Sequence, residues 1–485
     1  MKNEFSLDEE ARNLSSEYRQ YLINRHGTVE LDPMPDMNDA DPYNWPKWKK
    51  VINLILVAFH ALMGTFTAAA IQSAFVPISE DLGVSVQRAS YLTSLVIAIL
   101  GGAPLFWRPL SDRYGRRPIF LLSLICSLVG NIGCANSYSY GTMGLCRAIT
   151  AFFISPAAAI GSAVVVETFF KSQRARYMGI WTIMVTLGVP VSPLIFGFVA
   201  DRVGYRWIYY ILAITNSVQF ILYLFLGPET RYIRNQNAPS IESTVKGNYF
   251  KFKRIDPRPL TINDFIHPLS FVFRPCIFIP AAAYAMIFLW GSIMTTIEIP
   301  QLYPVKYGLN TEQVGLQNIS IIIGSLIGEQ IGGILSDKWM ARGWQQKQEH
   351  QSDEPVEPEY RLWLSYIGHA LTICGVIVFC VQFEKSSSWN VTPLVGAAIA
   401  AAGNQIVTTV NITYAVDCYR EEAGSVGVFI TFVRQVWGFI GPFWFPEMFE
   451  NVGFYGGAGI ATALLVAVSV VPTVILQWRG HGWRK

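Results

Sequence analysis

Residues 109–118 read Pro109-Leu110-Ser111-Asp112-Arg113-Tyr114-Gly115-Arg116-Arg117-Pro118, and residues 333–342 read Gly333-Ile334-Leu335-Ser336-Asp337-Lys338-Trp339-Met340-Ala341-Arg342. In both, an acidic residue is followed by a basic one at the next position and again five positions on. Each stretch closes a long apolar run. Asp112 and Asp337 are 225 residues apart, and the same interval separates Val51 from Cys276, near which two further apolar runs begin. A charged signature that recurs at the interval of the apolar segments around it implies an internal duplication, a common construction of membrane carriers.

Outward from these stretches, the solvent of most of the chain is lipid. Of 485 residues 52% are apolar and 15% charged, against roughly 25% charged in a soluble domain. The net charge is +3 and the basic residues are scattered, which leaves no electrostatic footprint for nucleic acid. The partners to expect are the lipid bilayer and a small-molecule substrate. The seven cysteines show neither CxxC nor Cys/His spacing and fall mostly within apolar runs. They read as small core residues, and no metal site is expected.

A helix needs about 20 apolar residues to cross roughly 30 Å of hydrocarbon. Ten stretches free of Asp, Glu, Lys and Arg meet that need: 51–79, 89–107, 118–146, 148–166, 177–200, 207–228, 275–297, 362–383, 386–416 and 451–478. Two more carry one charge each, 313–335 with Glu329 and 423–446 with Arg434. The turn signal Asn136-Ser137-Tyr138 precedes Arg147, so the fourth helix should begin near Gly141 and hold Arg147 inside it. The expectation is an all-α membrane protein of twelve transmembrane helices in two six-helix, pseudo-symmetric halves.

Lys and Arg are retained on the cytoplasmic side of a membrane. With the N-terminus inside, 30 of the 37 basic residues fall on that side, five fall outside (Arg88, Arg202, Arg206, Lys306, Lys385) and two lie within helices. Both termini are therefore expected in the cytosol. The chain opens on MKNEFSLDEEAR, where a secretory signal would place an apolar segment. The divisions that follow are a mobile cytosolic tail (1–45), an N-terminal half (46–228), a cytosolic linker (229–273), a C-terminal half (274–478) and a cytosolic C-terminus (479–485). The polar loop 342–361 is also expected to be mobile. Neither connection is expected to carry chemistry.

Residues 109–118 resemble the loop signature of the major facilitator superfamily, and helix count and spacing extend the resemblance over roughly residues 45–478. Arg147 within helix 4, Gly227-Pro228-Glu229-Thr230-Arg231 closing helix 6, and Trp45-Pro46-Lys47-Trp48, which is similar to fungal members, add to it. The resemblance implies that Asp112, Arg113, Arg116 and Arg117, with Asp337, Lys338 and Arg342 in the second copy, pair with neighbouring helix ends and hold one face shut. The same basic residues serve as positive-inside anchors. One departure is Arg108, where the family usually has Gly; the second copy keeps Gly333. Arg108 is expected to lean to the cytosolic interface by snorkelling.

Helix 5 carries Gly179, Gly188, Ser192, Pro193 and Gly197, a spacing similar to the Gly/Pro motif of drug:proton antiporters, with Ser192 and Phe196 standing where glycines are usual. Small residues let helices approach closely, and Pro190 and Pro193 free backbone carbonyls and bend the helix. The resemblance implies export. Tyr414-Ala415-Val416-Asp417-Cys418-Tyr419-Arg420 through Phe432-Val433-Arg434-Gln435 looks like a fungal subgroup that includes cation and polyamine carriers. Uptake of polyamines or other organic cations therefore stays open.

Ionisable residues within spans cost about 2.5 to 3.5 kcal/mol at mid-helix and are functional candidates by default. Those for a substrate or proton pathway are Arg147, Arg434, Glu298, Glu329, His60 and the amides Asn404 and Gln405. Glu329, two turns from Asp337, is the first choice as proton carrier and Glu298 the second. Glu298 precedes Ile299-Pro300 and is as compatible with outer water as with burial. His60, a lone histidine on an apolar helix, reads as a packed, hydrogen-bonded residue. Helix 1 has no acidic residue, where many antiporters similar to this chain place one.

A phosphate loop GxxxxGK[ST], clustered histidines, GxSxG and HExxH are all missing from the sequence. An enzyme is not expected, and neither is a cofactor beyond a proton gradient as energy source. The functional expectation is a monomeric, proton-coupled efflux pump of the plasma membrane, or of the vacuolar membrane, that exports a drug, toxin or secondary metabolite. A transporter-like nutrient sensor would carry a long cytosolic extension, whereas the C-terminal tail is expected to be only about residues 477–485.

Overall fold

The computed structural model describes residues 15–29, 31–233, 254–349 and 357–484. Among them the regular structure is helical throughout. Twelve helices are long and apolar enough to span a bilayer: α1 Lys47–Leu82, α2 Val86–Tyr114, α3 Arg116–Ala135, α4 Tyr140–Thr168, α5 Lys171–Val203, α6 Arg206–Leu226, α7 Pro275–Tyr307, α8 Thr311–Gly343, α9 Pro358–Lys385, α10 Thr392–Cys418, α11 Ala423–Phe443 and α12 Phe445–Trp483. The chain is an integral membrane protein whose described terminal segments lie at one end of the bundle.

Local chemistry sets the helix limits. Ser85 and Ser139 cap α2 and α4 by accepting the N–H groups of Arg88 and Thr142. The reversal from α2 to α3 is made by Gly115 alone, at φ +99°, a conformation that L side chains rarely adopt. A Cβ there would also stand 2.4 Å from Glu229 Oε2. Four spans are interrupted: α1 tightens over Gln72–Ala74, α4 turns at Ser155 between Ile154 and Pro156, α7 widens to a π segment over Leu289–Ile293, and α12 breaks at Gly453, φ +67°.

The halves repeat each other's packing. α1 lies on α5 as α7 lies on α11, α3 on α6 as α9 on α12, and α3 on α4 as α9 on α10. Between halves, α2 meets α11 and α5 meets α8. Since the duplication carries α2 onto α8 and α5 onto α11, these two seams are one contact made twice.

Glycine makes the C-terminal half tight. A Cβ on Gly375, Gly396 or Gly403 would fall within 2.7 Å of backbone atoms across the α9–α10 crossing, and one on Gly324 or Gly328 within 2.4 Å of an α10 carbonyl. In lipid such close backbone approach is itself a source of cohesion. By contrast a Cβ on Gly333 would meet nothing within 4 Å.

Three expectations about connections need correction. The expected mobile tail is folded over its described part: a helix at Ser16–His26 and residues 31–45 pack on the α4–α5 connection. Tyr43 stacks on Phe170 at 5.0 Å, and Lys171 N–H donates to Asp32 O at 2.9 Å. An apolar cluster of Leu22, Leu31, Tyr43 and Phe170 supplies the reason. The expected linker docks over residues 254–273, while 234–253 lie outside the described residues. The polar loop is helical to Glu349, and 350–356 lie outside the described residues. The last helix also runs past residue 478 to Trp483, and Arg484 bonds Glu359 at 2.7 Å.

Candidate functional site

The end of the bundle that carries the termini holds a charge lock in each half. In the first, Arg116 is 3% exposed, lies 2.7 Å from Asp112 and 2.8 Å from Glu167, and donates to Ser111 Oγ. Arg117 donates to the carbonyls of Tyr223, Leu224 and Gly227 and so closes the C-terminus of α6. Glu229 accepts the backbone N–H groups of Arg116, Arg117 and Arg231 at 2.8–3.0 Å. Burial pushes its carboxyl upward, against the opposing pull of those three bonds.

The second lock departs from the expectation. Asp337, Lys338 and Arg342 are exposed, without an ion pair among the described residues. Arg361, from the start of α9, does the work instead: it donates to Ser336 Oγ and lies 3.3 Å from Asp417. Ser111 and Ser336 are 225 residues apart, but Glu167 and Asp417, each one residue before its helix ends, are 250 apart. The acidic halves of the two locks therefore do not follow the interval of the loops, which is why sequence reasoning missed Glu167, Arg361 and Asp417.

The described part of the linker is tied to both halves by ion pairs and packing. Arg113 pairs with Asp256 at 2.5 Å and with Asp264 at 3.4 Å. Hydrogen bonds from Arg258, then from Arg113, hold the Asp256 carboxyl well below the usual carboxylate range. Farther along, His267 lies 3.3 Å from Glu422, and Phe271 packs on Tyr419 and Phe429. One segment thus touches α2 of the first half and the α10–α11 region of the second.

Within the bundle, the polar candidates divide. Arg147 is 2% exposed and donates to Leu92 O (3.1 Å), Ala68 O (3.3 Å) and Tyr209 Oη (3.5 Å). It ties α4 to α1, α2 and α6 inside one half. His60 is fully buried in the same half, with Nε2 3.0 Å from Ser123 Oγ and its ring edge-on to Phe120, as a packed histidine would be. Arg434 donates to Tyr284 Oη at 2.9 Å and lies over the Phe288 ring, joining α11 to α7. Glu298 is 1% exposed, so the outer-water alternative falls. Its Oε1 accepts from Gln301 at 3.5 Å, while Oε2 has no hydrogen-bond partner among the described residues.

Three candidates of the second half, Glu329, Asn404 and Gln405, are brought together and meet Thr186 of the first half across the seam. Gln405 Nε2 on α10 lies 3.2 Å from Glu329 Oε2 on α8 and 3.4 Å from Thr186 Oγ1 on α5, and Asn404 Nδ2 donates to Gln405 Oε1 at 3.2 Å. Ile183, Thr186, Ser325 and Glu329 line a small cavity there. Thr186 was not visible in sequence, because a hydroxyl within an apolar run costs little and signals nothing.

The helix 5 motif also divides. A Cβ on Gly188 would stand 2.0 Å from Thr65 Oγ1 and 2.8 Å from Leu62 O, and one on Gly197 2.9 Å from Thr311 O on α8. Ser192, replacing a glycine, donates to Phe66 O at 2.6 Å, and Ser73 donates to Pro193 O at 2.7 Å. Gly179 has nothing within 4 Å. The motif therefore clamps α1 on one side and α8 on the other.

A cavity of about 710 Å³ opens at the terminus-bearing end, between α2, the described linker and the start of α11. Arg108 lines it, half-buried. Its guanidinium rests on Gly424 of α11, where a Cβ would meet Nη2 at 2.3 Å.

Comparison with known proteins agrees with this architecture. The family model described as Major Facilitator Superfamily matches residues 54–442. The chain belongs to the Major Facilitator Superfamily, and it is a transporter, not an enzyme. It is 25% identical to the efflux pump radE of Floropilus chiversii over 474 residues, covering 93% of this chain and 86% of that one. It is 24% identical to the uncharacterized transporter mfc1 of Schizosaccharomyces pombe, covering 90% and 92%. Among solved structures, a bacterial homolog of the human lysosomal transporter Spinster aligns with TM-score 0.61 at 14% identity, covering 90% of this chain and 98% of that one. The peptide transporter POT aligns at 0.63 and 15%, covering 91% and 96%. At such identity the solved structures speak to fold alone.

Proposed function

We propose that this transporter exports small organic compounds across the plasma membrane, with both termini in the cytosol, by rocking its halves against each other while a proton moves the other way. The observation that carries the reading is the Glu329–Gln405–Thr186 bridge, which links a carboxylate of one half to a hydroxyl of the other. Ionised Glu329 holds the Gln405 amide by a charge-assisted bond of about 1.5–3 kcal/mol. Protonation removes that charge and loosens the bridge, leaving Gln405, already 3.4 Å from Thr186, free to turn to a substrate. A change of that size alters a two-state population by roughly tenfold to a hundredfold. The two α2–α11 and α5–α8 seams supply the surfaces that part and close, and the locks at Arg116 and Arg361 brace their ends. Efflux pumps among the relatives, together with the α1–α5–α8 clamp at Gly188 and Gly197, favour the outward direction.

The test compares pH-gradient-driven transport with substrate exchange in Glu329→Gln and Glu298→Gln. A coupling residue loses the first and keeps part of the second. If Glu329→Gln keeps full pH-driven transport, Glu329 is not the coupling site; if Glu298→Gln keeps it too, the proton reading fails. Accumulation of polyamine against its gradient in cells carrying the protein would reverse the direction.

A further inference from the structure

Arg108 departs from the family pattern, and its surroundings give that departure a use. The cavity at the terminus-bearing end is lined by Arg108, Arg113, Arg116, Arg231 and Arg258 against the carboxylates Asp112, Asp256, Asp264 and Glu421. Most of these charges are engaged with each other. Asp112 is bonded to Arg116 at 2.7 Å, and Asp256 to both Arg113 and Arg258. Two are exceptions among the described residues: the exposed Glu421 makes no ion pair, and neither does Arg108, whose neighbour Asp112, acting on it through space, is already held by Arg116. The Nη1 of Arg108 is buried with no hydrogen-bond partner among the described residues, and the Nε of Arg231, on the same cavity, is in the same condition.

A guanidinium cannot discharge itself, and a buried donor left unmade costs about 1–3 kcal/mol, more when charged. Its position is built: Gly424 leaves the space in which the guanidinium lies, and any Cβ there would strike Nη2. The opening of about 710 Å³ is of the size that takes a small organic molecule.

We infer that this cavity is the cytosolic vestibule of the transporter and that it receives an organic anion, a carboxylate- or phosphate-bearing molecule whose negative group bonds Arg108 at the α2–α11 seam. The inference rests on the proposed export function and narrows its substrate class. Arg108 sits where the two halves touch, so an anion bound there bears on the seam that must open.

Benzoate, benzamide and spermidine are suitable probes, being an anion, its neutral near-isostere and a cation. Their binding is measured on full-length protein in phosphatidylcholine discs, for wild type, Arg108→Gln and Arg108→Lys, each checked for a monodisperse peak. The expected result is benzoate bound at least about tenfold more tightly than benzamide or spermidine, about tenfold weakened in Arg108→Gln and within about threefold in Arg108→Lys. Equal binding of benzoate and benzamide, or benzoate binding unchanged in Arg108→Gln, overturns the inference. Discs containing phosphatidylserine separate the two sources of an anion: benzoate binding retained supports a soluble substrate, and its loss to the lipid headgroup overturns that assignment. Arg108-dependent binding without pH-driven efflux of benzoate from vesicles would sink the export reading and leave the anion site standing. Efflux of a neutral compound without benzoate binding would do the reverse.

Discussion

Replacing Gly188 by alanine is the sharpest test of the α1–α5 clamp. The new Cβ would lie 2.0 Å from Thr65 Oγ1, 2.8 Å from Leu62 O and 3.0 Å from Phe66 N. The threonine can rotate, but only by giving up its bonds to Leu62 O and Val185 O at 3.0 and 2.9 Å, worth about 1 kcal/mol net. The backbone atoms cannot rotate away. To restore an ordinary 3.4 Å contact with Leu62 O the helices must part by roughly 0.6 Å along their crossing, and overpacking of this kind costs about 1–3 kcal/mol. Alanine returns about 0.5–1 kcal/mol of helix entropy, so the net expectation is a loss of about 1–3 kcal/mol. At Gly179 the same substitution meets nothing within 4 Å, which leaves only the favourable term. Heating detergent-solubilised protein and following the monodisperse peak should show Gly188→Ala melting below wild type and Gly179→Ala at or above it. Adding Thr65→Ala to Gly188→Ala should recover part of the loss, because it removes the shortest contact and keeps the backbone ones. Identical melting of Gly188→Ala and Gly179→Ala would refute the clamp.

The asymmetry of the two locks predicts that Arg361→Gln lowers transport per molecule at the membrane as Arg116→Gln does, whereas Asp337→Asn keeps most of it; equal loss in Asp337→Asn and Arg361→Gln would restore the loop pair. Arg147→Met should strip three bonds that tie α4 to its neighbours and cost about 2–4 kcal/mol, read as lower abundance and melting with the KM of surviving protein unchanged. The Asp256 ion pairs depend on pH in a definite direction. Its carboxyl is depressed in the folded chain, so the stabilisation is complete above the unfolded value near 3.9 and is lost only as pH falls below it. The difference in melting between wild type and Asp256→Asn should therefore stay constant from pH 5 to 8; a difference that fades between pH 7 and 5 would contradict the geometry.

What could be read from the sequence was what depends on local order or on a fixed interval. Twelve spans follow from hydropathy, because a lipid solvent forces every crossing segment to be long and apolar. The two halves follow from the interval of 225 residues between the charged loops. Gly188 and Arg147 stood out for similar reasons, one as a missing side chain and one as a charge within an apolar run. The tertiary structure alone decided which groups meet. It replaced Arg342 by Arg361 in the second lock and joined Asp417 to it although Glu167 and Asp417 are 250 residues apart. It drew Thr186 into the same cluster as Glu329 and Gln405, turned Arg108 onto Gly424, and folded residues 31–45 against Phe170. Each of these depends on distance in space between groups on different helices, set by how close their backbones come at a crossing. A single sequence carries hydropathy and spacing along the chain, but not the angle and depth at which two helices meet.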